Sequence, residues 1–175
     1  MKESKVSIGL INPKSPDNVK SIMRSSGNFR VDSVFYTGLR YPRAVKLNQS
    51  TVNMGRKLSQ NIPLTQVTSL IDDGADNMQI VCVEFAENAM PLPEFKHPNN
   101  AFYIFGPEDG TLSQDIIDRA DAVVYIPTSG CMNLAATVNI VLYDRLVKSS
   151  ERFECNELII ESRDINNSLK VKNKT

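Results

Sequence analysis

The feature that most constrains this chain is a set of short, nearly continuous apolar runs set between helical patterns. Val6–Ile11, Val31–Tyr36, Gln79–Phe85, Ala101–Phe105 and Ala122–Ile126 are too short for buried helices, and several are closed by Asn-Pro, Gly-Pro or Pro. Runs of this kind are predicted to be strands of a buried sheet. Between them, Asn18–Phe29 spaces apolar residues at 19, 22 and 23 and carries Gly27 near its end. Ser113–Ala120 has Ser113 or Thr111 as a cap and Asp115 in its first turn, and Asn133–Lys148 puts apolar residues at 134, 138, 141, 142 and 146. All three are predicted to be helices. Leu64–Ile71 reads as a further short helix, residues 38–62 as a long basic loop with one short helix, and 86–100 as a loop punctuated by Pro91, Pro93 and Pro98. The alternation predicts an α/β fold with a mostly parallel sheet flanked by helices.

Several function classes fall away on composition. No run of about 18 apolar residues is present, so no membrane-spanning helix is expected. The apolar stretch near the start ends at Asn12-Pro13 and is too short for the core of a secretory signal, so a cytoplasmic protein is expected. Cys82, Cys131 and Cys155 lie far apart with no C-x-x-C pair, which reads as free thiols, with Cys82 a buried small hydrophobe. His97 is the single histidine, placed by its polar surroundings on a surface loop, so histidine-based nucleophilic catalysis and a metal site are not expected.

The formal net charge is zero, but the charges are segregated. Residues 1–60 hold 11 basic and 3 acidic residues, a net of +8, while residues 61–121 hold 2 and 11, a net of −9. Residues 122–175, with 7 and 6, return the sum to zero. The basic third includes Lys14, Lys20, Arg24, Arg30, Arg40, Arg43, Lys46, Arg56 and Lys57, with Tyr36 and Tyr41 among them. Two readings follow. Either this third holds a polyanion, with the tyrosines stacking on unpaired bases, or it folds against the acidic third and the two neutralise each other.

Ligands of parallel sheets sit beyond the carboxyl ends of the strands. Asn12–Asn18, Gly106–Gly110 and Pro127–Asn133 leave those ends and form the candidate site. In Phe105-Gly-Pro-Glu-Asp-Gly110, Gly106 lets a ligand approach the backbone, Pro107 stiffens the turn, Gly110 permits a positive φ, and Glu108 is aimed outward. Ile126-Pro-Thr-Ser-Gly-Cys-Met-Asn133 leads from a strand into a helix, exposing backbone groups that could bracket an adenine edge, with Asn133 as the helix cap. Neither a P-loop nor a G-x-G-x-x-G fingerprint occurs, which disfavours the commonest routes to ATP and NAD.

Taken together, residues 8–147 resemble the SpoU/TrmH class of SPOUT RNA methyltransferases, of the small single-domain type. The resemblance rests on three motif regions in order: Asn12-Pro13 with Asn18 and Arg24, then FGPEDGTLS, then IPTSGCMNLAATV. It implies transfer of methyl from S-adenosylmethionine to a ribose 2′-hydroxyl of tRNA or rRNA. It also implies a C-terminal trefoil knot around residues 101–147 and a homodimer. Residues 1–148 would be the SPOUT methyltransferase domain and 149–175 a charged, partly disordered tail. Carried over by position, cofactor contacts would come from Glu84, Phe85, Gly106, Pro107, Glu108, Gly110, Ile126, Thr128, Cys131, Met132 and Leu134. Arg24, Asn18, Glu108 and Asn133 would form the catalytic neighbourhood.

A guanidinium hardly ever deprotonates, so Arg24 is a poor general base and is better suited to binding phosphate or a developing alkoxide, with Glu108 orienting it. Two positions depart from the family pattern: Lys20 stands where a Gly is usual and Cys131 where a Ser is usual. They motivate an alternative, a non-catalytic RNA-binding module that keeps the fold and has lost turnover. A third reading, a small-molecule enzyme using another nucleotide, rests on fold class alone.

Overall fold

The computed structural model describes residues 4–48, 61–74, 76–149 and 156–171. Seven parallel strands form one sheet in the order β3-β2-β1-β6-β4-β7-β5: β1 Val6–Leu10, β2 Ser33–Tyr36, β3 Leu64–Gln66, β4 Gln79–Val83, β5 Met90–Pro91, β6 Ala101–Phe105 and β7 Ala122–Tyr125. Among the described residues six helices accompany them: α1 Pro16–Asn28, α2 Arg40–Asn48, α3 Leu70–Gly74, α4 Gln114–Asp118, α5 Leu134–Lys148 and α6 Asn156–Ser162. The α/β reading from the alternating runs therefore holds.

The central strands are apolar throughout because both faces of the sheet are covered. Along β6, Ala101, Tyr103 and Phe105 point to one side and Phe102 and Ile104 to the other, and all five are buried. The first side meets Val19, Ile22 and Met23 of α1 and Val138, Val141 and Leu142 of α5. The second meets Leu70 of α3 and Leu112. Gly9 of β1 is required by this second layer, since a Cβ there would come within 2.9 Å of both Leu70 and Phe102.

Helix α1 begins where the sequence provides a stop for β1 and a cap. Ser15 accepts a hydrogen bond from the Asn18 N–H, Pro16 opens the first turn, and Asp17 sits at its positive end. Asn133 caps α5, its Oδ1 accepting from the N–H groups of Ala135 and Ala136 at 2.9 and 3.2 Å.

Several expectations are corrected. Leu64–Ile71 divides into strand β3 and the start of α3, because its first three residues pair with Val34–Tyr36 of β2. The proline-rich 86–100 segment contains the short edge strand β5 beside β7 and a 3-10 turn over Leu92–Glu94, so Ala122–Tyr125 is last in the chain but not at the sheet edge. Its prolines are admitted because an edge needs fewer backbone donors. Within 38–62 the one short helix expected is α2, and 49–60, including Arg56 and Lys57, lie outside the described residues.

Tyr41 is only 9% exposed and packs edge-to-face on Tyr36 with ring centres 5.2 Å apart, so it is a core residue and not a platform for bases. Cys82 is fully buried, and burial, followed by the Glu84 charge, pushes its thiol up to about 12. Cys155 lies outside the described residues, and the described part of the tail includes α6, none of whose residues is buried.

His97 is not on the surface. Its side chain is 4% exposed, with Nδ1 2.6 Å from the Tyr103 hydroxyl and Nε2 2.8 Å from Asp144. The polar neighbours that made it look exposed in sequence are its loop, whereas its ring turns inward to α5. Among the described residues, no helix is long and apolar enough to cross a membrane, and no group of His, Cys, Asp and Glu is placed to hold a metal.

Candidate active site

Strands β1, β6, β4 and β7 are neighbours in the sheet, so the segments leaving their carboxyl ends converge. They enclose a cavity of about 530 Å³. All eleven residues carried over as cofactor contacts line it, and so do Asn18 and Asn133. Lys14, Asp109, Tyr125 and Thr137 line it as well without having been singled out as site residues. Their signal in the sequence was a place inside or beside the motif segments, which does not say which side chains turn inward.

A polar relay ties the three motif regions together. Glu108 Oε2 accepts from the Lys14 N–H at 2.9 Å, and Oε1 accepts from the Ser15 N–H and the Asn18 amide, both at 3.1 Å. Asn18 Oδ1 then accepts from Asn133 Nδ2 at 3.0 Å, and Asn133 Oδ1 is used by the cap of α5. Each amide orientation is assigned by this network: a carboxylate at one end, backbone donors at the other, and two side-chain amides between.

Burial by itself pushes the Glu108 carboxyl up. The bonds from the Lys14 N–H, the Asn18 amide, its own backbone N–H and the Ser15 N–H outweigh that and hold it below the usual carboxylate range. Glu108 is therefore an anionic organiser of the first motif and is not set to exchange protons near neutrality.

Glu84 is similarly engaged, with one oxygen accepting from the Leu112 N–H at 2.9 Å and the other from the Phe85 N–H at 2.9 Å. Phe85, half exposed, lies 5.9 Å from Tyr125, a tilted aromatic pair at the cavity wall. Gly110 does not adopt a positive φ; among the described glycines only Gly38 does. The Gly106–Gly110 turn is closed instead by a bond from the Gly110 N–H to the Pro107 carbonyl.

Arg24 stands apart. It is exposed on α1 and is not among the residues that line the cavity. The arginine beside Glu108 is Arg40, whose Nη2 lies 3.9 Å from Oε2 and whose Nη1 donates to Asp109 at 2.8 Å. Arg40 reaches the loop because α2 starts directly after β2, a placement invisible in sequence spacing. Lys20 is exposed on α1 and does not crowd the cavity, and Cys131 is exposed at its wall.

The SpoU rRNA Methylase family model matches residues 5–143. The chain belongs to that family. Among curated relatives of this SpoU protein is the "tRNA (cytidine-2'-O-)-methyltransferase TrmJ" of Methanocaldococcus jannaschii, 29% identical over 82% of this chain and 68% of its own length. A "Putative TrmH family tRNA/rRNA methyltransferase" of Staphylococcus epidermidis is 25% identical over 75% of this chain. The chain spans 54% of that relative, about half its length. Among solved structures, the SpoU methyltransferase AviRb of Streptomyces viridochromogenes, in complex with the cofactor AdoMet, superposes with a TM-score of 0.64 at 19% identity. The match covers 85% of this chain and 59% of AviRb and shows a common fold.

The SpoU site suits S-adenosylmethionine on its own features. Its lining carries three carboxylates, Glu84, Glu108 and Asp109, and with Lys14 and the adjoining Arg40 set against them a negative charge remains, which suits a sulfonium cation. Each Glu84 oxygen has lone pairs left for ribose hydroxyls after its backbone bonds. The Ile126–Leu134 backbone borders the same space and offers peptide groups to a base edge.

Proposed function

We propose that this chain transfers the methyl group of S-adenosylmethionine to a ribose 2′-hydroxyl of tRNA or rRNA. The observation that carries the reading is the Glu108–Asn18–Asn133 relay at the wall of the cavity, which joins the three motif regions. The name of the methanocaldococcal relative supports the 2′-O position. The bound cofactor supplies an electrophilic methyl group. The chain's own residues orient and exclude: Asn18 and Asn133 each keep one amide N–H beyond the relay, available to a ribose oxygen, while Glu108 holds both in place. Arg24 is assigned to an RNA phosphate or to the developing alkoxide.

With this reading go a trefoil knot around residues 101–147, a catalytic unit of residues 1–148 with a tail, and a cytoplasmic homodimer in which Arg24 reaches a site built by both subunits. Tyr143 and Val147, 61% and 54% exposed and one turn apart on α5, form an apolar strip that a second copy would cover.

The test is calorimetric titration with S-adenosylhomocysteine, with ATP and NAD as controls, followed by transfer of labelled methyl to RNA and detection of alkali-resistant linkages. Selective binding near one site per subunit with 2′-O incorporation supports the reading. Binding to RNA with no incorporation would favour the turnover-less RNA-binding module instead.

A further inference from the structure

The exposed rim of the cavity carries a second cluster that the relay leaves unused. Asp109 is held by two cations, one on each oxygen: Arg40 Nη1 donates to Oδ1 at 2.8 Å and Lys14 Nζ to Oδ2 at 3.3 Å. Lys14 comes from the loop after β1 and Arg40 from the first position of α2, so the convergence is tertiary. Asp109 and Lys14 remain about half exposed, at 49% and 53%. Arg40 Nη2 is buried without a hydrogen-bond partner, 3.9 Å from Glu108. The guanidinium is therefore not forked onto either acid, although a fork is what it binds best.

A half-exposed ion pair of this kind adds little to stability, so the fold does not account for the cluster. What the two cations share is a target: they grip the two oxygens of one small anionic group at the edge of the catalytic cavity. A backbone phosphate presents the same pair of oxygens and a full negative charge.

Resting on the RNA methyltransferase reading, we propose that Lys14 and Arg40 form the seat for one backbone phosphate of the RNA substrate, and that Asp109 fills this seat in the free protein as an intrachain mimic. Binding is then an exchange in which the phosphate takes both cations and Asp109 turns to solvent, with no covalent bond altered. The tethered carboxylate sets a threshold. Weakly bound single anions lose to it, while a polyanion anchored elsewhere on the surface displaces it. Asp109 thus acts as a specificity element for extended RNA, and its removal should tighten binding.

The test is fluorescence anisotropy of a fluorescein-labelled tRNA transcript titrated with the full chain at several KCl concentrations. Arg40→Gln is expected to weaken binding about tenfold and to flatten the log–log salt dependence by nearly one unit, as loss of one phosphate contact does. Asp109→Asn is expected to tighten binding about three- to tenfold, and Arg40→Lys to recover part of the loss. The deciding variant is the double substitution. If the gain from Asp109→Asn shrinks when Arg40 is gone, the two act at one seat. A gain that persists undiminished means Asp109 acts only through its charge at a distance, and overturns the seat. Wild-type binding with single variants within twofold of it overturns the seat and leaves the RNA reading standing. Wild-type protein that binds no RNA overturns both.

Discussion

Glu108 shows how one carboxylate can do the work of a scaffold. Its three hydrogen bonds to Lys14, Ser15 and Asn18 join a turn after β6 to the loop after β1 and the first turn of α1, and each oxygen is used. Glu108→Gln keeps the size but swaps one acceptor oxygen for a donor facing backbone N–H groups. The expected cost is about 1–3 kcal/mol of stability, with methyl transfer down by at least an order of magnitude. Thermal melts and transfer assays on one preparation check both. The pH dependence has a definite sign. The folded Glu108 value lies below its ordinary 4.5, so its contribution is complete above pH 4.5 and is lost as the pH falls through the folded value. Arg24 makes the opposite case: exposed on the solvent side of α1, it should give an Arg24→Ala variant with an unchanged melting temperature and reduced RNA affinity and methyl transfer. Full activity in that variant would remove Arg24 from the catalytic group.

Between elements, the C-terminal half of α5 is clamped to the loop before β6. Arg145 donates to the carbonyls of Pro98 and Asn99, and Lys148 to those of Leu92 and Phe95. His97 sits between: because the Asp144 carboxylate only accepts, the tautomer is assigned with Nε2–H donating to Asp144 and Nδ1 accepting from the Tyr103 hydroxyl, which burial first of all pushes up to about 12 and so keeps protonated. Burial lowers the His97 imidazole below 6.5; Asp144 pulls it up, and Arg145 and Lys148 push it further down. The unfolded chain therefore takes up the proton first. Stability is full above pH 6.5 and should fall as the pH drops below it. His97 is the only histidine, so the slope that opens below pH 6.5 in denaturant melts reports on it, and His97→Gln should flatten that slope.

A second element-scale prediction concerns the loop between β2 and α2. Gly38 has φ +78°, and a Cβ there would overlap the Asn12 side chain, whose Oδ1 also faces the Arg40 N–H at 3.5 Å. Gly38→Ala should cost about 1 kcal/mol or more, read by urea unfolding, because both strain and displacement of Asn12 follow.

At the scale of the whole molecule, the proposed homodimer would carry Arg24, which does not line the cavity of its own chain, to a site built by both subunits. Sedimentation equilibrium should give twice the 19.5 kDa chain mass. Tyr143→Lys with Val147→Glu on α5 should shift the population to monomer and lower transfer while leaving far-ultraviolet circular dichroism intact. A dimer insensitive to both changes would move the interface away from this face. A chain ending at 148 should retain its melting temperature, because no residue of α6 is buried.

The parts legible in the sequence are those set by local spacing and composition. Continuous apolar runs at β1, β4, β6 and β7 announce a doubly covered parallel sheet, since burial on both faces removes the alternation a one-sided strand would show. Asn133 marks the start of α5 because a cap acts on donors two or three residues away, whereas α1 begins at Pro16, two residues before the expected Asn18, because Ser15 supplies its cap. The three motif loops pointed to the cavity because every parallel strand delivers its following loop to the same edge. What only the tertiary structure decided are meetings across long separations. Asp144 reaches His97 from α5, and Tyr41 is drawn into the core. Above all, Arg40 and not Arg24 stands beside Glu108. A charged or aromatic side chain takes its role from whichever group the fold brings within a few ångströms, and a sheet order of 3-2-1-6-4-7-5 places strands distant in the chain side by side.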